Sequence, residues 1–271
     1  MVFKLMNSTE KRMLEILKEL KQKHNILAVK AEFEAEGTRK DELVNLANIV
    51  ARADLDLHVK IGGCEAVRDM HECRTFGVGA IIAPMIESPF AMKKYLQAID
   101  AVYTKEEQEN MLYVFNAETI TGYNNLDDII AVPGFKEHID SVSVGRVDFS
   151  ASLGLSRDDI NTDKVTPYLD TMLRKCHAAG IKCGFGGGVS PETIPVFEQV
   201  KDVLYKFETR KVVYSYFDEL EVIDALILGQ EFELLYLKNK NNLYTYLREE
   251  DVKRIEMLEK RHIETKAKYG K

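Results

Sequence analysis

Two carboxylates at the ends of apolar, β-prone runs are the residues best placed to do chemistry. Glu118 follows LYVFNA and Asp148 follows DSVSVGRV, with a short helical stretch between them in residues 111–154. If both runs are neighbouring parallel strands, their C-terminal ends open on one face, where barrel enzymes place their active sites. Two carboxylates there make a hard-oxygen pocket suited to Mg2+ or Mn2+, with water and substrate completing an octahedron. A second reading stays open, in which each carboxylate caps the element that follows.

Other candidates stand at similar boundaries. Glu32, Glu34 and Glu36 alternate at the end of the run 26–33, so they share one side of a strand and then spill into its loop. Inside a barrel they need cationic partners, for which Lys30, Lys60 and Arg39 are available. They form either a structural ion-pair layer or a general base and polar wall for substrate. Lys60 ends the run 55–61 beside Gly62 and Gly63, where it could bind an anion or, less in keeping with a metal pair, form a Schiff base. Glu87 either orients metal-bound water or caps the helix that starts at Pro89. In GFGGGVSPE, Gly187 and Gly188 lead into a helix, so backbone N–H groups there could approach an anion that Arg210 also serves; a tight turn fits the same residues. His58, His71, His138, His177 and His262 show no metal-ligand spacing and read as surface or satisfied structural histidines.

These residues need a scaffold. Apolar runs at 2–6, 26–33, 55–61, 80–85, 112–117, 141–147, 182–186 and 206–214 alternate with amphipathic stretches, which implies a parallel sheet covered by helices. Eight units in residues 1–216 fit a (β/α)8 TIM barrel, with a seven-unit open sheet as the alternative. Residues 217–271 are helical and charged, broken into pieces at Gly229 and at the KNKNN run, and pack on the barrel or on a neighbouring subunit. A net charge of −7 argues against general nucleic-acid binding. Four cysteines without C-x-x-C spacing read as reduced thiols, and no signal peptide or membrane-spanning run is visible, so a cytoplasmic protein is expected.

NAET followed by a short helix and VGRVDFSASLG, with PMIES upstream, resembles the HpcH/HpaI aldolase and citrate lyase beta-subunit family of the phosphoenolpyruvate/pyruvate barrels. The likeness covers residues 28–154 and, more weakly, continues to 188. It implies Glu118 and Asp148 as ligands of Mg2+ or Mn2+, and a 2-oxo acid of the pyruvate or oxaloacetate type as substrate. Gly145 would lie close to the bound carboxylate. Three departures mark a divergent member. Lys60 stands where the family usually has an Arg that holds the carboxylate and enolate oxygen, and a point charge is not equivalent to a planar fork. Glu36-Gly37-Thr38 stands where the family has a histidine, which leaves Glu36 or Glu34 to move the proton. Arg146 replaces the usual Pro and pairs either with substrate charge or with Asp148. The resemblance also implies a homo-oligomer.

The reading is a class II, metal-dependent carbon–carbon lyase or aldolase working through an enolate, with an aldehyde, sugar-like or phosphorylated acceptor. The alternatives are a phosphoenolpyruvate-using transferase or acyl-thioester lyase, and a non-catalytic binding protein on the same barrel.

Overall fold

The computed structural model describes residues 5–217 and 220–269. Eight strands close into a barrel in sequence order: β1 (Ile26–Glu32), β2 (Asp56–Lys60), β3 (Ala80–Ala83), β4 (Leu112–Ala117), β5 (Ser141–Gly145), β6 (Lys182–Gly186), β7 (Leu204–Glu208) and β8 (Val212–Ser215). The expected eight-stranded (β/α)8 barrel with a helical C-terminal extension is therefore present, but two of its strands differ from expectation. The run at 2–6 supplies none: residues 1–4 lie outside the described residues, and Leu5 and Met6 are not in a strand. The run at 206–214 instead makes parts of two strands. Thr209, Arg210 and Lys211 turn the chain between β7 and β8, with Thr209 N–H donating to Val212 O at 3.0 Å. A parallel return needs a crossover of a dozen or more residues, and three residues permit only an antiparallel neighbour. β8 accordingly runs antiparallel to both β7 and β1. Its turn lies at the C-terminal mouth of the barrel and carries Arg210 there.

Side chains alternate across the barrel wall. Val29, Val59, Ile81, Phe115, Val142, Phe185 and Phe207 face the helices at 0% exposure. Residues of the other parity line the interior, and many are polar: Lys30 and Glu32 on β1, His58 and Lys60 on β2, Asn116 on β4, Ser143 on β5, Lys206 and Glu208 on β7. The register sets Lys30 beside His58 and Glu32 beside Lys60. The core that holds the fold is thus the layer between strands and helices, and the lumen is left for charged groups.

The N-terminal helix Ser8–His24 begins at a capping box, where Asn7 Oδ1 accepts from Glu10 N–H at 2.8 Å and Glu10 Oε2 from Asn7 N–H at 2.9 Å. Its buried face is Met13, Ile16, Leu17 and Leu20, at helical spacing. It packs against the C-terminal helix Val222–Tyr269. That helix is continuous, contrary to the breaks expected at Gly229 and KNKNN. Gly229 lies against Tyr214, where an added Cβ would collide with the phenol oxygen. Asn239, in the polar run, is buried and shares hydrogen bonds with Asn7 Nδ2 (2.9 Å) and Asn45 Oδ1 (3.2 Å). Tertiary contacts here override poor helix propensity. Among the described residues no helix is long and apolar enough to cross a membrane.

Candidate active site

The C-terminal mouth of the barrel holds a cavity of ≈ 520 Å³ lined by groups from β1, β2, β4, β5, β6 and β7. Glu118 and Asp148 both line it. Glu118 is 2% exposed and held from three sides. Met85 N–H donates to its Oε1 at 2.9 Å, Asn116 Nδ2 donates to its Oε2 at 2.9 Å, and Lys60 Nζ is 3.5 Å from each oxygen. Met85 aims its N–H from a left-handed backbone, φ +46, which a side-chain-bearing residue rarely adopts and which concentrates at functional positions. Burial raises the Glu118 pKa; Lys60, Asn116 and Met85 N–H partly offset that rise. Burial also opposes the charge on Lys60, but Glu118, Glu34 and Glu32 more than offset it and keep the ammonium protonated.

Asp148 is exposed to the cavity from the first turn of the helix Arg146–Ser152. Ser152 at the end of that helix accepts from Ile120 N–H at 2.8 Å. This ties the segment after Glu118 to the helix that carries Asp148. Gly145 also lines the cavity, and its missing side chain makes room for the carboxylate: a Cβ there would sit 2.5 Å from Glu118 Oε2. Gly187 and Gly188 line the adjoining wall, next to Gly145, with φ of +79 and +67. A Cβ on Gly187 would meet Val147 N at 2.9 Å, so only glycine lets this loop lie against the helix start.

The three acidic residues after β1 divide. Glu34 lines the cavity, its Oε2 3.2 Å from Lys60 Nζ and buried without a hydrogen bond. Glu32 joins an internal ion network, with Lys30 between Glu32 (3.5 Å) and Glu208 (3.1 Å) and Lys206 3.0 Å from Glu208. Glu36, expected as a proton carrier, does not line the cavity. It pairs with Arg210 at 3.1 Å and with Lys211, beneath the C-terminal helix. The Arg39 guanidinium forms no ion pair with an acid among the described residues; it lies 4.9 Å from the Tyr244 ring.

Two further expectations are corrected. Arg146 reaches neither substrate space nor Asp148. It is 0% exposed, stacked 4.7 Å over Phe185, and donates to Gly186 O (3.2 Å), Gly187 O (3.0 Å) and Asn161 Oδ1 (2.7 Å). Its role is to hold the loop after β6, and burial lowers its pKa to about 9. Glu87 neither lines the cavity nor caps the next helix, since Ser88 is that cap. It accepts from Thr119 Oγ1 at 2.6 Å, and so braces the residue after Glu118. Arg210 does line the cavity. His58 is buried with Nδ1 unpartnered, unlike the satisfied histidine expected.

Asn116, Gln230 and Glu233 line the cavity without having been expected there. Asn116 was legible, because strand alternation puts residue 116 on the same side as Glu118. Gln230 and Glu233 carry no local signal; only the path of the C-terminal helix brings them to the mouth. Asn116 Oδ1 is buried and has no hydrogen-bond partner among the described residues. With its Nδ2 fixed by Glu118, that oxygen is left as an unmatched acceptor. Glu118, Asp148 and this oxygen are the hard donors that a divalent cation prefers. Among the described residues no group of three or more His, Cys, Asp or Glu could hold a metal, so substrate and water would complete the coordination. The donor chemistry fits, with Lys60 as the competing cation.

No curated protein sequence matches the chain. An HpcH/HpaI aldolase from Desulfitobacterium hafniense superposes with a TM-score of 0.58 at 14% identity, over 76% of this chain and 84% of that one. An HpcH/HpaI aldolase/citrate lyase family protein from Burkholderia cenocepacia gives 0.57 at 16%, over 86% and 100%. A variant of the citrate synthase SbnG gives 0.54 at 15%, over 85% and 90%. These likenesses concern the fold. The family model for HpcH/HpaI aldolase/citrate lyase matches residues 41–185, a span from before β2 to the end of β6 that contains Lys60, Glu118 and Asp148. The chain belongs to the HpcH/HpaI aldolase/citrate lyase family, whose members are lyases and aldolases.

Proposed function

We propose that the chain is a carbon–carbon lyase or aldolase that acts on a 2-oxo acid through its enolate, with a divalent cation held by Glu118 and Asp148. The observation that carries this reading is the placement of both carboxylates on one cavity, with Lys60 beside Glu118 and an unmatched Asn116 oxygen next to them. When bound, Mg2+ or Mn2+ supplies Lewis-acid stabilisation of the negative charge that develops on the substrate oxygen.

The chain's own residues do the rest. Lys60 places a permanent positive charge beside Glu118, in a site where low dielectric strengthens its pull on an anion. Asn116 and Met85 N–H fix the Glu118 carboxylate in one orientation, so no reorganisation is needed as charge develops. Glu34 is the proton carrier. Its Oε2 makes only the 3.2 Å ion pair with Lys60, and it lies on the cavity where Glu36 does not. Arg146 holds the Gly186–Gly187 backbone and shapes the wall next to the helix that carries Asp148.

The test is oxaloacetate decarboxylation followed by NMR after EDTA treatment, with Mn2+ added back. A rate above a protein-free control at the same Mn2+ concentration, lost with EDTA and restored with Mn2+, supports the reading. Full activity in EDTA would favour a second reading, motivated by the Lys60–Glu118 pair, in which the ammonium alone stabilises the enolate. No rate above the protein-free control under either condition contradicts both.

A further inference from the structure

The cavity has a wall that comes from the far end of the chain. Gln230 and Glu233 lie one turn apart on the C-terminal helix and line the cavity beside Glu32, Glu34 and Arg210. That part of the helix is firmly seated. Tyr214 Oη donates to Ala225 O at 3.1 Å, Arg12 makes a fork on Glu231 at 2.8 and 3.0 Å, and Phe232 and Tyr236 are buried. The absence of a side chain at Gly229 lets the helix come this close to Tyr214.

The cations on this side of the cavity are already matched. Lys30 lies between Glu32 and Glu208, Lys60 between Glu34 and Glu118, and Arg210 between Glu36 (3.1 Å) and Glu32 (3.7 Å). The side chains of Gln230 and Glu233 make no hydrogen bond or ion pair with another described residue. Burial raises the Glu233 pKa, with Lys211 and Arg210 acting against the rise. The groups this wall leaves uncommitted are therefore acceptors, the Glu233 carboxylate and the Gln230 amide oxygen, while every cation on the same side is already spent on another carboxylate. Such a surface binds hydroxyl groups, because a carboxylate accepts from a pair of neighbouring O–H donors, and it repels anions.

We propose that Gln230 and Glu233 are specificity-determining residues for the second substrate, and that they favour a neutral polyhydroxylated aldehyde over one bearing a carboxylate or phosphate. This rests on the lyase/aldolase reading above. The feature that an anionic aldehyde would use instead is Arg157, which lines the cavity near Gly188 without a carboxylate partner among the described residues.

The experiment compares kcat/KM for D-glyceraldehyde with that for succinic semialdehyde and glyceraldehyde 3-phosphate, each with pyruvate and Mn2+, in wild type, Glu233→Gln, Glu233→Lys and Arg157→Ala. The wild type is expected to prefer D-glyceraldehyde. The preference ratio is expected to fall at least tenfold in Glu233→Gln and to invert in Glu233→Lys. A wild-type preference for either anion, lost in Arg157→Ala, would overturn the proposal, as would an unchanged ratio in both Glu233 variants. Pyruvate C3 proton exchange without any aldehyde reports on the lyase/aldolase reading alone. Saturation-transfer NMR with erythritol and glycerol 3-phosphate reports on the wall even if no turnover occurs. An erythritol signal that Glu233→Gln loses supports the wall, and a stronger glycerol 3-phosphate signal in wild type contradicts it.

Discussion

Gly145→Ala tests how the site is built, because it adds one methyl group at a single place. The backbone at Gly145 has φ −86 and ψ 91, which alanine adopts without strain. The effect is therefore steric. The new Cβ would lie 2.5 Å from Glu118 Oε2 and 2.8 Å from Glu118 Cβ, closer than real contacts allow. Glu118 must swing away, and it then loses Asn116 Nδ2 and Met85 N–H, both at 2.9 Å. Overpacking of this kind costs about 1–3 kcal/mol, which a domain of this size survives. We expect a folded protein with a lower urea midpoint and Mn2+ affinity at least tenfold weaker, a change of about 1.4 kcal/mol or more. Electron paramagnetic resonance of free Mn2+ reads the affinity, and circular dichroism in urea reads the stability. Gly63→Ala is the control, since nothing lies within 4 Å of its added Cβ. Wild-type Mn2+ affinity in Gly145→Ala would refute the claim that this glycine makes room for a metal-holding carboxylate.

Gly229→Ala should destabilise the fold by about 1–3 kcal/mol in urea melts through collision with Tyr214 Oη. Tyr214→Phe removes that oxygen, so the double variant should recover part of the loss; a strictly additive double variant would contradict the contact. His58 has its pKa lowered to about 3 by burial, followed by the charges of Lys206 and Lys30. The unfolded chain binds a proton there from about pH 6.5 downward and the folded chain does not, so stability falls as pH drops through this window. Between pH 6.5 and 4.5, above the range where the depressed Glu208 contributes most, His58 should account for about 2 kcal/mol, and His58→Gln should flatten the slope of the urea midpoint. Arg146→Lys should cost about 2–4 kcal/mol, because one ammonium cannot satisfy Gly186 O, Gly187 O and Asn161 together; an unchanged midpoint would show that the loop after β6 needs no such clamp.

Much of the barrel is legible in the chain because its strands carry two signals at once. β3 is a continuous apolar run, and β1, β4 and β7 alternate apolar residues for the helix layer with polar ones for the lumen. The pairing of Glu118 with Asp148 follows from strand adjacency, and the Lys60 neighbourhood follows from the same face. The hairpin at 209–211 was harder to see, since KFETRKVVY is β-prone throughout and only the turn at Thr209 divides it. The roles of Glu36 and Arg146 were also hidden. Nothing local says that Lys211 and Arg210 would capture Glu36, or that the arginine beside Asp148 would turn outward onto Phe185. Gln230 and Glu233 lie more than eighty residues beyond Asp148, and only packing of the C-terminal helix on Tyr214 and the N-terminal helix delivers them to the mouth.

The measurement closest to the central claim is exchange of the pyruvate C3 protons into D2O, followed by NMR with and without Mn2+. Wild type should be run beside Glu118→Gln and Asp148→Asn. The account predicts Mn2+-dependent exchange in wild type and its loss in both variants, with folding intact by circular dichroism. Exchange that persists in either variant would place the enolate chemistry on other residues. Absence of exchange in Mn2+-loaded wild type would contradict a 2-oxo acid lyase at this site.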